Sequence, residues 1–232
     1  MSSIESIRFY AKQVSTFEEG FLYAKNHENY HLLSLNSRQI FLSQLMQALI
    51  TWRSGENPRS FIEQGVERGL ESVKALLELD PEANLKNAFP IEKLQILAFL
   101  IDREIEVEKG CRSIEPPDRK LDCILAAILA GESISSFNDA VAVELIRLSK
   151  VKRSALAAKT YQLYFDILKY EGVGEVDTAD DLYRQRAVDA FYVNGYESEG
   201  GGLDNGLVVD YRLGAILKYL DYSGSSVHLW RW

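Results

Sequence analysis

The chain has 232 residues, 47% of them apolar, and carries 34 acidic against 26 basic side chains, a formal charge of −8. This composition excludes wholesale disorder, and a pI near 5.1 argues against binding to nucleic acid or anionic lipid, which both need a basic surface. The longest uncharged stretch, 39–52, is too short and too polar to span a bilayer.

Apolar residues recur at steps of three and four along almost the whole chain, which is the spacing of one helix face. Ile91, Leu94 and Ala98 are one example. The sequence therefore predicts an all-α fold, an irregular bundle of about nine amphipathic helices. The predicted spans are 3–26, 37–54, 58–79, 90–108, 118–130, 137–149, 154–171, 179–197 and 206–221.

Start and stop signals divide these helices. Asn57 is a predicted N-cap followed by Pro58 at the first helical position, and Pro90 and Pro117 open two more helices in the same way. Gly131 ends the fifth predicted helix, 118–130, as a left-handed cap.

Three further helix starts are predicted by polar residues. Asn36 marks the start of the second helix, and capping-box patterns mark two later ones. These patterns are Ser136 with Asp139, and Thr178 with Asp181.

Two polar, turn-rich loops, 81–89 and 109–117, are candidate domain boundaries. We place the boundary near Lys109, which gives a helical unit at 1–109 and a second one at 110–232. The sequence is also compatible with one continuous domain.

The stretch 207–220 is predicted to be a central, buried helix, because apolar side chains lie nearly all round it. Its Val208 and Val209 also suit a strand, but an apolar run of this length favours a helix. Arg212 lies inside the run. A buried guanidinium there needs a carboxylate partner.

His27-Glu28-Asn29-Tyr30-His31 spells H-E-x-x-H, the zinc-peptidase motif. On a helix, His27 and His31 would share a face and hold Zn²⁺ while Glu28 activates water. The flanking Lys25 and the asparagines suit such a helix poorly, and the motif falls where the first helix ends. We therefore predict no metal and no cofactor, and keep a zinc metallopeptidase as an alternative.

The segment 171–210, named the acidic sector here, contains ten acidic and two basic side chains and so accounts for the entire net charge. A neutral scaffold with one acidic sector suggests a surface that meets a basic partner. Tyrosines lie among the acids and supply rigid contact area. The predicted partner-binding residues are Asp177, Asp180, Asp181, Tyr192, Tyr196, Glu197, Glu199 and Asp204.

A glycine-rich stretch, 199–206, precedes the last helix and raises the question of a phosphate or Ca²⁺ site. It contains no lysine or arginine, and its acids would repel an anion. Its spacing matches neither a nucleotide-binding loop nor an EF-hand. We interpret it as a tight connection with an acidic rim.

Two stretches resemble a known family. Trp52-Arg53-Ser54-Gly55-Glu56 before a long amphipathic helix, and the helix 210–221, are similar to PoNi-like immunity proteins. That family protects bacteria against DNase toxins of polymorphic and type VI secretion systems. The resemblance implies an all-α, cytoplasmic protein without catalytic residues. The ending His228-Leu229-Trp230 departs from the family pattern, so the resemblance does not identify the subfamily or the toxin.

The sequence thus predicts a binding protein rather than an enzyme. We expect it to neutralise a basic toxin, a nuclease, by covering the toxin's active site with the acidic sector. The alternatives are the zinc peptidase and a helical adaptor without a toxin. We expect a cytoplasmic protein, because the N-terminus lacks a secretory signal and the only cysteines, Cys111 and Cys123, form no disulfide framework. Neither nucleic acid nor membrane is expected as a partner, and a homodimer stays open.

Overall fold

A computed structural model describes residues 3–82, 85–105, 116–151, 154–170, 175–182 and 210–222 of the chain. Helices dominate these residues, and no strand occurs among them. The predicted all-α fold is confirmed. Within the same residues, no helix is both long enough and apolar enough to cross a membrane.

Three long helices open the chain. They are α1 (Ser3–Asn26), α2 (Tyr30–Arg53) and α3 (Arg59–Leu79), and α2 packs against both of the others. The short α4 (Leu85–Ala88) follows.

Five further helices complete the described fold. These are α5 (Ile91–Leu100), α6 (Pro117–Leu129), α7 (Asn138–Lys150), α8 (Ala155–Tyr170) and α9 (Tyr211–Tyr219). Between α8 and α9, the backbone at 176–182 is also helical.

The predicted start of α2 at Asn36 is wrong by about two turns. Asn29 caps the helix instead, because its side-chain oxygen accepts a hydrogen bond from Leu32 N at 3.0 Å. Asn36 lies inside α2 and donates its amide to Leu32 O at 2.8 Å. It is tolerated there because Gly20 of α1 has no side chain. A Cβ at Gly20 would lie 2.6 Å from Asn36 Oδ1.

The Pro117 and Gly131 signals are confirmed, whereas Pro58 and Pro90 are the N-cap residues of α3 and α5 and lie one residue before the first helical position. Asn57 Oδ1 accepts a hydrogen bond from Arg59 N at 2.9 Å, Pro117 is the first residue of α6, and Gly131 ends that helix with a φ of +98°. The predicted helix 90–108 ends at Leu100 as α5, and Asp102 just beyond it adopts a left-handed φ of 58°.

Both capping boxes are wrong. Ser136 belongs to a 3-10 turn, Ile134–Phe137, that precedes α7, and no side chain caps α7. Thr178 already lies inside the helical stretch 176–182. Aspartate in place of the usual glutamate or glutamine is a weak signal.

Helix α5 links the two ends of the described fold. It packs against α3 and also against α6 and α9. Gly69 of α3 allows the first contact, because a Cβ there would lie 2.7 Å from a methyl group of Leu94. The division into units 1–109 and 110–232 stays a prediction.

The prediction of a central, buried last helix is confirmed, but the predicted start at 206 is wrong, because Asp210 caps a helix that begins at Tyr211. Every residue of α9 from Tyr211 to Leu217 is buried, and α9 packs against α5, α6 and α8. The C-terminal end of α9 is held by Lys218, whose ammonium donates hydrogen bonds to Phe99 O and Leu100 O at 3.0 and 2.7 Å. This positive charge suits the C-terminal carbonyls of α5.

Candidate partner-binding site

The described part of the acidic sector contains a short helix with two different faces. Val176 and Ala179 are buried in the core, whereas Asp177 and Asp181 are exposed. Residues three and four apart share a helix face, so the buried pair orients the two aspartates outward. Asp180 is half-buried between the two faces.

Three of the eight predicted site residues therefore lie on one helical turn. The other five lie outside the described residues, and their role stays a prediction. They are Tyr192, Tyr196, Glu197, Glu199 and Asp204.

Asp210, the last acid of the sector, belongs to the core. Its side chain is fully buried and caps α9, where it accepts hydrogen bonds from Arg212 N and Leu213 N at 3.1 and 3.3 Å. Tyr164 of α8 donates its hydroxyl to the other carboxylate oxygen. The sector's charge at the surface is thus smaller than the sequence suggests.

Burial raises the pKa of Asp210 to about 6. The hydrogen bond from Tyr164, the charge of Arg212 and the Leu213 backbone oppose this rise, whereas the negative charge of Asp180 adds to it. Asp180 and Asp210 are therefore electrostatically coupled. This coupling connects the acidic helix at 176–182 to the start of α9.

Asp122 of α6 is the carboxylate partner that the sequence predicts for Arg212. Nε and one terminal nitrogen of Arg212 each lie 2.7 Å from a different Asp122 oxygen. Tyr161 of α8 donates its hydroxyl to Asp122 at 2.6 Å. Burial lowers the pKa of Arg212, but the charges of Asp122, Tyr161 and Tyr211 and the hydrogen bond to Asp122 together outweigh burial and hold that pKa well above its ordinary value.

Two more buried carboxylates tie α6 to its neighbours. Arg119 binds Glu92 of α5 through contacts of 2.7 and 2.9 Å, and Lys120 binds Glu144 of α7 at 2.8 Å. Helix α6 therefore forms ionic links to α5, α7 and α9.

The buried carboxylates Asp122, Glu92 and Glu144 were not identified from the sequence, although the sequence contains a signal for Asp122. Asp122 stands between Leu121 and Cys123 in an apolar run, where a carboxylate predicts a buried cation nearby. Asp210 carries a signal as well, since aspartate just before an apolar helix is a typical N-cap.

The H-E-x-x-H motif is not on one helix. Helix α1 ends at Asn26 and α2 begins at Tyr30, and Glu28 between them has a φ of 51°. The two histidines thus do not share a helix face as the zinc motif requires. In the described part of the chain, no group of three or more His, Cys, Asp and Glu side chains is arranged to hold a metal ion.

Both histidines are exposed, and His27 has a local role. Its Nδ1 lies 2.8 Å from Tyr23 O, and its ring stacks on Tyr23 with centroids 4.0 Å apart. We expect His27→Ala with His31→Ala to lower the free energy of unfolding by only about 0.5 kcal/mol, the usual scale for exposed positions. Thermal melts and zinc analysis of both proteins check this. One tightly bound zinc per chain, lost in the variant, would contradict it.

The turn that carries the family resemblance is well formed. Trp52 is buried, Ser54 donates its hydroxyl to Thr51 O at 2.7 Å, and Gly55 has a φ of +84°, which other residues rarely adopt. No family model, curated protein or solved structure matches this chain. The similarity to PoNi-like proteins therefore rests on the two stretches named above.

Proposed function

We propose that this chain is a cytoplasmic immunity protein that binds a cognate secreted toxin, a basic nuclease, and covers its active site. The supporting observation is the outward pair Asp177 and Asp181, on a helix whose opposite face is anchored by Val176 and Ala179. Two carboxylates fixed on a helix can enter the phosphate-binding site of a nuclease toxin. Because the helix already orders them, binding costs less conformational entropy than it would for a loose loop.

The scaffold on either side of the sector supports the same role. The Tyr164–Asp210 hydrogen bond joins α8, which ends just before the sector, to α9, which begins just after it. The Arg212–Asp122 pair then joins α9 to α6. The helices that flank the sector are thereby held together, while its net negative charge steers a basic partner to it.

We expect Asp177→Lys with Asp181→Lys to abolish protection from the toxin. The substitutions change the charge from −8 to −4 and place cations against a basic surface, so the association rate should fall at least about tenfold. The measurement is co-expression with the product of the adjacent reading frame, followed by binding kinetics at two salt concentrations. Wild-type association should slow as salt rises.

Asp180 is left unchanged in this variant, because it is half-buried and acts on the pKa of Asp210. The matched control is Glu19→Lys with Glu132→Lys, which reverses two exposed acids outside the sector. The control should protect like wild type. Equal binding by both variants, or failure of the control alone, would place the binding surface elsewhere. A neighbouring gene product that does not bind wild type would favour the adaptor alternative.

A further inference from the structure

Helix α7 has two faces with different chemistry. Its buried residues, Val141, Glu144, Leu145 and Leu148, pack toward α6 and α8. The opposite face carries Val143 and Ile146, which are 54% and 55% exposed, together with exposed Arg147 and Lys150. These four, named the α7 stripe, are spaced i, i+3, i+4 and i+7 and so form one continuous row.

The α7 stripe combines apolar area with the positive charge of Lys150, whereas Arg147 is paired with Glu144 at 2.8 Å. Val151, 47% exposed, extends the apolar area beyond the end of the helix. Lys159 adds an exposed cation on α8, the helix that packs against α7. Isolated exposed apolar residues are common, whereas adjacent exposed apolar residues rimmed by polar ones mark protein contact sites.

This chain itself carries the complementary surface. The helical stretch 175–182 exposes Glu175, Asp177 and Asp181 and contains no basic residue. We propose that two copies of this chain associate through the α7 stripe of one and the acidic stretch 175–182 of the other. In a two-fold pair, the same contact forms twice, because each copy offers both surfaces.

The inference goes beyond the proposed function, and a charge swap in the isolated chain tests it. One variant is Lys150→Glu with Lys159→Glu, and the other is Asp177→Lys with Asp181→Lys. Each variant alone would face like charges in both contacts of the pair, whereas a mixture restores opposite charges in both. The measurement is mass by light scattering and sedimentation equilibrium over a concentration series.

We expect wild type to approach twice the 26.3 kDa chain mass, and less readily in high salt. Each swap variant should dimerise at least about tenfold more weakly, and the equimolar mixture should recover the wild-type mass. The control, Lys12→Glu with Lys74→Glu, reverses two exposed cations on α1 and α3 and should dimerise like wild type. Val143→Gln with Ile146→Gln should weaken the dimer without a change of charge. This variant replaces the charge swap as the test if circular dichroism shows that a swap variant has lost helicity.

Three results would overturn the proposal: a wild-type chain that stays monomeric at all concentrations, dimers that persist in both swap variants, or a mixture that stays monomeric. The same proteins keep this inference separate from the proposed function. Lys150→Glu with Lys159→Glu leaves the acidic stretch intact, so it should protect against the toxin even though it no longer dimerises.

Discussion

Arg212→Ala is expected to lower the free energy of unfolding by about 3–5 kcal/mol, because it leaves the Asp122 carboxylate buried without its cation. Asp122 is 1% exposed and would keep only the hydroxyl of Tyr161 at 2.6 Å among the side-chain partners described above. For a chain of this length, such a loss corresponds to a fall of roughly 10 °C in Tm. Chemical denaturation and thermal melts measure both quantities.

The control for Arg212 is an arginine that forms ion pairs at the surface. Arg68 binds Glu18 and Glu71 at 2.6 and 2.7 Å, but it is 44% exposed, so Arg68→Ala should cost less than about 1 kcal/mol. Adding Asp122→Ala to Arg212→Ala should destabilise the fold by less than the two single changes together, because it removes the orphaned charge. Melting of Arg212→Ala at the wild-type temperature would mean that the Arg212–Asp122 pair adds no net stability.

Asp210 should make the stability of the fold depend on pH between about 4 and 7. Because burial raises its pKa from 3.8 to about 6, the folded state favours the protonated carboxyl. The resulting stabilisation is fully present below the unfolded pKa of 3.8 and is lost as the pH rises through about 6. A shift of this size corresponds to about 3 kcal/mol.

Asp210→Asn isolates this contribution, because asparagine can still cap α9 and does not titrate. The difference in free energy of unfolding, wild type minus variant, should fall by about 2 kcal/mol between pH 4 and pH 7, because part of the stabilisation is already lost at pH 4. Tyr164→Phe removes a hydrogen bond that lowers the pKa of Asp210, so the same fall should move to higher pH. A difference that stays flat, or grows with pH, would show that Asp210 is ionised in the fold throughout this range.

Local signals located most helix ends. Pro117 and Gly131 act within a few residues of themselves, and the structure confirms both. Asn57 lies one residue before the N-cap Pro58 and still accepts a hydrogen bond from Arg59 N. Asn36 misled the prediction of α2, since its place inside the helix depends on Gly20 of a different helix. Contacts between helices override a polar residue's preference for a helix end.

The need for a partner of Arg212 was predictable, but the partner's identity was not. A guanidinium in an apolar run requires a carboxylate, yet Asp122 lies 90 positions away in the sequence. Several acids satisfy that requirement equally well until the packing of α6 against α9 brings one of them close. Asp210 shows the reverse case, since it counts as one more acid of the sector in the sequence and is fully buried in the fold.

The sequence alone determined the helical fold and the buried last helix, because apolar periodicity and capping chemistry act within a few turns of one helix. It also located the acidic sector, since charge can be counted without coordinates. Only the tertiary structure decided that Asp177 and Asp181 face outward while Asp210 belongs to the core. It also separated His27 and His31 onto either side of a turn. Side-chain burial and pairing depend on helices distant in sequence, whose arrangement no local pattern encodes.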